Sequence, residues 1–543
     1  MKRSLPIWLT LAIAVIAFAA GLLVDRHCLR TESTVSTVPK DKRSPKVKAV
    51  LDLIATEYVD TVSPAKLMEK SIPLILRGLD PHTSYFDAKN YKISKDKPDG
   101  VIPDIGIVFI TINDSIFVEC TVPNGPGDKA GLMPGDRITV VDSKPITSED
   151  ITAGQVMKLM SGPDGSKLTI GVQRHGIKKP LEFTVIRERI RDRSIGSFYM
   201  LDKNTGYVKV NVFERNTYND FVKALTQLRD EGAKRYMIDL RGNGGGYVEI
   251  AVLMANEFLQ SGDHIVSTRG RHKQNDRHYT SDGKGAFKNA EVAVLIDEFS
   301  ASASEIFAGA LQDNDRGLIV GRRSYGKGLV QKDFTLPDSS ILRLAVARYY
   351  TPSGRCIQKD YEQGVNNYSQ ELLERYQRGE AYYRDSVKID KSQKYTTRHG
   401  RTVYGGGGII PDIFVPFDLD GITIYYVDVK NAGLLQRFAF SYCEKNRASL
   451  NKMQDYKQFM RTTPIDNELI KEFASFAATE GIAPQWHAIS QSRDVILTTL
   501  KAQIARDIFG PIAYASIMNR NDNTVLTALK ALDRHKAAFP ITD

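Results

Sequence analysis

The sequence predicts an α/β core that carries a small α+β module and is flanked by helical regions. Three observations predict it. Between Gly206 and Val330, buried-looking strands alternate with helices. From Ile105 to Ile186 the pattern changes to short strands punctuated by glycine and proline. After Asp418, apolar residues recur at helical spacing. Alternating strands and helices point to a layered α/β architecture. A chain of 543 residues exceeds one core at ~100–200 residues per domain.

At the N-terminus, Lys2 and Arg3 precede an uncharged, mostly apolar run from Leu5 to Val24, which Asp25, Arg26 and His27 end abruptly. A run of about 20 residues suffices to cross a bilayer core, and the leading positive charges favour a cytoplasmic N-terminus with the rest exported. Residues 1–30 therefore read as an inner-membrane anchor, with the remaining chain in the periplasm of the cell envelope. The rival reading is a cleaved signal peptide, for which Ala17, Ala19 and Ala20 supply small residues. Residues Thr31 to Pro45 are polar and read as a linker.

Residues 46–95 form a helical region: Val47 to Val62 shows helical periodicity, and Pro64 to Leu79 follows until Asp80-Pro81 stops it. Residues 96–186 form the module, with strands at Ile116–Val122 and Lys167–Val172 and a helix near Ile151–Met160. Residues 187–358 hold most of the core. Its strands are Tyr207–Val212, Arg235–Leu240 and Val292–Ile296, and its helices Tyr218–Asp230, Val248–Leu259 and Ala303–Gln312. Residues 359–402 are polar and tyrosine-rich and read as an insertion with a helix at Gln370–Tyr376; residues 403–418 complete the core. In the helical extension 419–543, Ile496, Leu497, Leu500, Ile504 and Ile508 mark one apolar face. These helices would dimerise the protein, cover a site or dock an adaptor.

Composition excludes several functions. With 42% hydrophobic and 25% charged residues the chain is globular. The formal charge of +10 is spread along it, without a basic tract interleaved with aromatics, so no nucleic acid is expected. Cys28, Cys120, Cys356 and Cys443 form no CxxC pair, and His272 and His278 are six apart rather than i, i+4. No metal or other cofactor is expected.

Three segments can carry chemistry. The first, Val292–Ile296 followed by Asp297-Glu298-Phe299-Ser300-Ala301-Ser302-Ala303-Ser304-Glu305, reads strand, turn, helix. A serine at such a junction projects from a sharp turn, beside N–H groups at a helix N-terminus that favour an oxyanion. Ser302 to Glu305 is equally a capping box, and on chemistry alone Ser300 and Ser304 stand level with Ser302. The second, Ser324-Tyr325-Gly326-Lys327-Gly328-Leu329-Val330-Gln331, sets one lysine between two glycines after the apolar strand Leu318–Val320. It is a surface turn lysine unless desolvation lowers its pKa enough for it to act as a base. The third, Ile238-Asp239-Leu240-Arg241-Gly242-Asn243-Gly244-Gly245-Gly246, puts glycines after a strand, where N–H groups form an anion-binding nest. It lacks the order of a P-loop.

Together these segments resemble the carboxyl-terminal processing, or tail-specific, proteases. That family pairs a serine in S-A-S-E with a lysine in G-K-G-x-V-Q, which stand here as Ser302–Glu305 and Gly326–Gln331. The resemblance implies a crotonase/ClpP-like α/β core with an inserted PDZ domain, and a serine endopeptidase. It selects Ser302 as nucleophile, Lys327 as general base and Gln331 as the residue that orients the lysine. It implies an oxyanion hole from the N–H of Ala303 and that of Gly245 or Gly246. The segments Leu79-Asp80-Pro81-His82-Thr83-Ser84-Tyr85, Ala347 to Arg355 and Gly408-Ile409-Ile410-Pro411-Asp412 match the family in order. Asp99 to Asp104 is less glycine-rich than the family leads one to expect, and the insertion and the tail lie outside the shared core.

Ile105-Gly106-Ile107-Val108-Phe109 resembles a PDZ carboxylate-binding loop. Such a loop captures free C-termini by strand addition at the Ile107–Ile110 edge. The helix near Thr152–Met160 would form the other wall, with at least two of Val156, Leu159 and Met160 in the core. The expected partners are therefore proteins or peptides with free, apolar C-termini, and the membrane through the N-terminal segment. The competing readings are a non-catalytic PDZ scaffold or chaperone, and a ligand carrier on the same fold.

Overall fold

The structure is a computed structural model that describes residues 45–88, 103–112, 115–122, 125–146, 153–174, 176–189, 194–462 and 467–534. The expected anchor, the linker up to Ser44 and residues 99–102 lie outside the described residues, as does the start of the helix expected from Ile151; Pro45, read as the end of the linker, instead opens a helix. No helix among the described residues is long and apolar enough to cross a membrane. The chain forms two compact units.

In the smaller unit, helices Pro45–Glu57 and Pro64–Leu76 precede strand Ser84–Phe86, which pairs antiparallel with Ile341–Arg343. Both helices end earlier than their periodicity suggested. Ser63, held out of the helical region by Pro64, follows the β-branched run at Thr61-Val62, and Gly78 weakens the second helix beyond Leu76.

The larger unit is built on a six-stranded sheet. Its order is Ile195–Met200, Thr205–Val210, Arg235–Asp239, Glu291–Ile296, Leu318–Gly321 and Ile413–Phe414. The first pair is antiparallel and the rest are parallel. Parallel strands covered on both faces are apolar at nearly every position, which is how the central three read. Successive side chains alternate between the faces. Ile238, Val294 and Ile319 enter one core beneath helices Thr217–Asp230, Val248–Asn256 and Ala303–Asp313. Met237, Leu295 and Val320 enter a second core that Val525, Ala528 and Leu532 close. The extension's last helix, Asn523–Arg534, thus completes the sheet's second face. Helix Val248–Asn256 stops short of Leu259 because residues 257 and 258 bond three residues back instead of four. The face predicted from Ile496 to Ile504 is buried in helix Arg493–Phe509.

The PDZ-like module is an antiparallel sheet ordered Ile107–Ile112, Ser115–Thr121, Arg137–Val141, Lys167–Gln173 and Leu181–Ile186, with helix Ala153–Met160. Strand Ile107–Ile112 lies at its edge. In the insertion, the helix runs Val365–Gln377, longer at its N-terminus than expected, because Gly364 at φ 89° starts it.

Candidate active site

The chemistry-bearing loops leave the C-terminal ends of the parallel strands, where α/β sheets place their sites. Strand Glu291–Ile296 turns at Asp297–Ala301 into helix Ala303–Asp313. Ser302 sits at the junction with φ 57° and ψ −113°. This is not the extended backbone of an ordinary N-cap, and such a conformation costs about 1–3 kcal/mol and persists only where the surroundings impose it. They do so here. Ser302 N–H donates to Glu305 Oε2 at 2.8 Å, and Ala301 N–H to the Asn243 carbonyl at 3.0 Å. The structure also separates the three serines. Ser300 Oγ donates to the Leu240 carbonyl and Ser304 Oγ to the Asn243 carbonyl, each at 2.9 Å, and both residues are fully buried. They are struts, and Ser302 alone of the three is partly exposed.

The glycine run packs against this turn. A Cβ on Gly245, at φ 106°, would lie 2.8 Å from Ser302 Cβ. Gly245 N–H is taken by Asn243 Oδ1 at 2.8 Å. The N–H groups of Gly246 and Ala303 meet no acceptor among the described residues. The adjacent Asp239 is buried; burial alone would raise its carboxyl, but Arg241 and Lys209 hold it far below the usual range.

Lys327 lies in a loop whose backbone groups are all satisfied. Buried Glu305 accepts the N–H of Lys327 at 2.9 Å, that of Gly326 at 2.7 Å and the Ser324 hydroxyl at 2.5 Å, besides that of Ser302. One carboxylate therefore ties the serine turn to the lysine loop. Burial pushes the Glu305 carboxyl up, against the pull of these four donors. The Tyr349 hydroxyl lies between the carbonyls of Lys327 and Ser302 and makes a second tie. Lys327 Nζ donates to Gln331 Oε1 at 3.1 Å, and Gln331 Nε2 donates to the His82 carbonyl at 2.6 Å. The L-D-P-H segment thus holds the glutamine.

In the PDZ-like module, Ile105 is fully buried, Gly106 has φ 71°, Ile107 is half-buried and Val108 is exposed. The carbonyls of Ile105 and Gly106 accept from Gly127 and Val122 at 2.7 and 2.8 Å, so this loop is fixed from behind. Val156 and Met160 are core and Leu159 is exposed.

Sequence reasoning read Glu305 only as a cap and gave Tyr349 and His82 no role. All three stand inside motifs quoted above, but the contacts that reveal them join residues far apart in the chain.

Residues 204–367 match the family described as Peptidase family S41, residues 117–174 match the PDZ domain, and residues 425–510 match a family of unknown function, DUF8443. The chain is 35% identical over 352 residues to the carboxy-terminal-processing protease of Bartonella bacilliformis, across 63% of this chain and 80% of that protein. It is 32% identical over 324 residues to the carboxy-terminal processing protease CtpB of Bacillus subtilis, across 59% and 66% of the two chains. The chain therefore belongs to the carboxy-terminal processing proteases of peptidase family S41. It is a serine peptidase with a PDZ domain on an α/β core. Among solved structures, the photosystem II D1 C-terminal processing protease aligns at 26% identity with a TM-score of 0.34, covering 59% of this chain and 90% of that one.

Proposed function

We propose that this chain is an exported endopeptidase that captures substrate C-termini through its PDZ domain and cleaves peptide bonds with Ser302 and Lys327. The observation that carries the reading is the shared carboxylate. Glu305 receives the backbone N–H of both Ser302 and Lys327, which fixes the two reacting side chains on one rigid support. Neutral Lys327 takes the Ser302 proton, and Oγ attacks the scissile carbonyl. The oxyanion is received by the unpartnered N–H groups of Ala303 and Gly246, while Gly245 supplies close packing against Ser302 instead. Lys327 then protonates the leaving amine, and water resolves the acyl-enzyme. Gln331 orients the amine throughout. Because the base must be neutral, activity rises with pH until the lysine is deprotonated.

The edge position of strand Ile107–Ile112 supports peptide capture by strand addition at Ile105–Val108, with preference for apolar C-termini. The charge pattern around Leu5–Val24 supports an anchor with the catalytic part in the periplasm.

One experiment tests both halves. An unfolded protein with an apolar C-terminus, as free acid or amide, is incubated with wild type, Ser302→Ala and Lys327→Ala, and products are read by mass. Both variants are expected to be inactive and the amide to be cut more slowly. Full activity in Lys327→Ala would sink the dyad, and equal cleavage of acid and amide would sink carboxylate capture.

A further inference from the structure

The inserted helix Val365–Gln377 buries the wrong residues for a helix that merely packs. An amphipathic helix turns apolar side chains inward. Here Leu373 is 59% exposed, while Arg375 is 3% and Tyr368 3% exposed. Tyr368, Glu371 and Arg375, at i, i+3 and i+7, share one face, and that face meets the lysine loop.

Arg375 donates to the Ser324 carbonyl at 2.7 Å and to the Tyr325 carbonyl at 3.0 Å. It thus satisfies the two loop carbonyls that precede Gly326-Lys327. Glu371 accepts from Arg375 at 2.7 Å and from Lys359 at 3.0 Å, which sets the angle of the guanidinium. Lys359 Nζ lies 4.1 Å from the ring centre of Tyr325 and 4.0 Å from that of Tyr368, locking the loop's tyrosine to the helix. The Tyr368 hydroxyl lies 2.9 Å from His82 Nε2. The His82 carbonyl in turn holds the Gln331 amide, whose oxygen holds Lys327 Nζ. A second arm closes on the loop through Gln358, whose Oε1 accepts Gly328 N–H at 2.7 Å.

We propose that Tyr368 and Arg375 are positioning residues for the general base: Arg375 fixes the backbone that presents Lys327, and Tyr368 fixes, through His82, the glutamine that aims its amine. The inference rests on reading Lys327 as the base. It gives the insertion a task in the reaction that its place outside the shared core does not suggest. His82 is faced by Tyr368, Asp80, Lys327 and Lys359, and burial first, then Lys327, pushes its pKa down to about 4. A neutral imidazole is therefore the partner of the Tyr368 hydroxyl at working pH.

The test uses Tyr368→Phe and Arg375→Lys, which keep ring or charge, and compares kcat, KM and the pH dependence of kcat on one peptide. Each variant is expected to lower kcat on the order of tenfold with KM unchanged. The rising limb of the profile should move to higher pH, because a loosened amine regains water and water favours the ammonium. A variant that only loses folded enzyme lowers kcat and leaves the limb in place; that result, or an unchanged kcat in both variants, would overturn the proposal. Activity retained in Lys327→Ala would overturn the dyad instead, so the two failures are distinguishable.

Discussion

Two helices meet the lysine loop: one binds it directly through a glutamate, the other through an arginine that a glutamate holds. Helix Ala303–Asp313 is buried along its whole length and contributes Glu305. Helix Val365–Gln377 is mostly exposed and contributes Glu371. Glu305 receives only dipoles, three N–H groups and a hydroxyl. Glu371 receives the cations Arg375, Lys359 and Arg323. Burial raises both carboxyls, but only the cations overcome it. Glu305 ends above the usual range, and Glu371 ends at about 2. The same residue type thus serves as rigid scaffold in one helix and as ionic clamp in the other, with opposite dependence on pH.

Glu305→Gln removes the scaffold and carries the largest expected effect. The carboxylate accepts two donors on each oxygen, Ser324 and Gly326 on Oε1, Ser302 and Lys327 on Oε2. A glutamine oxygen still accepts one pair of donors, and its NH2 then faces the other two. At about 1–3 kcal/mol for each of the two buried donors left unpaired, the loss in a urea titration at neutral pH should be roughly 2–6 kcal/mol. If the amide faces Ser302 and Lys327, peptide cleavage by the folded protein should fall by ~100-fold or more. A variant with wild-type kcat would show that the shared carboxylate does not set the proposed Ser302–Lys327 pair.

Glu371→Gln removes the charge of the ionic clamp. Its folded pKa lies below the unfolded value of 4.5. The stability it contributes is therefore fully present above about pH 4.5 and is lost as pH falls towards 2. Glu305, with a raised pKa, contributes in the opposite sense: its stabilisation is present below the unfolded value and is lost as pH rises through the folded one. The Glu371→Gln variant should be destabilised by roughly 1–3 kcal/mol at neutral pH, and its urea midpoint should vary less than that of wild type between pH 4.5 and 2. Parallel curves for the two proteins would mean that Glu371 is not the group that titrates.

The two helices also differ in how far the sequence revealed them. The core strands read within two residues of their observed ends, because parallel strands covered on both faces are continuous apolar runs. The serine helix read well for the same reason. Its choice among Ser300, Ser302 and Ser304 needed the family motif, since the Leu240 and Asn243 carbonyls that engage the outer two are some 60 residues away. Adjacent Gly245 and Gly246 are alike in the sequence, and only the Asn243 side chain, which takes the N–H of the first, separates them. The inserted helix was seen only at Gln370–Tyr376. Periodicity finds apolar stripes, and this helix turns tyrosine, glutamate and arginine inward.

Leu373→Ala carries the smallest expected effect and tests that inversion directly. Leu373 is an apolar residue near the middle of a helix, and hydrophobic patterning alone would place it in the core. In the serine helix the equivalent residue type, Leu311, is fully buried, and truncating such a leucine typically costs about 2–5 kcal/mol. Leu373 instead stands 59% exposed, while Arg375, two positions on, is enclosed. Its truncation removes little buried surface, and alanine is the better helix former. The unfolding free energy from a urea titration should therefore change by no more than about 0.5 kcal/mol. A loss approaching that of a core leucine would mean that the apolar face is covered in solution and that the polar face does not alone hold the helix to the lysine loop.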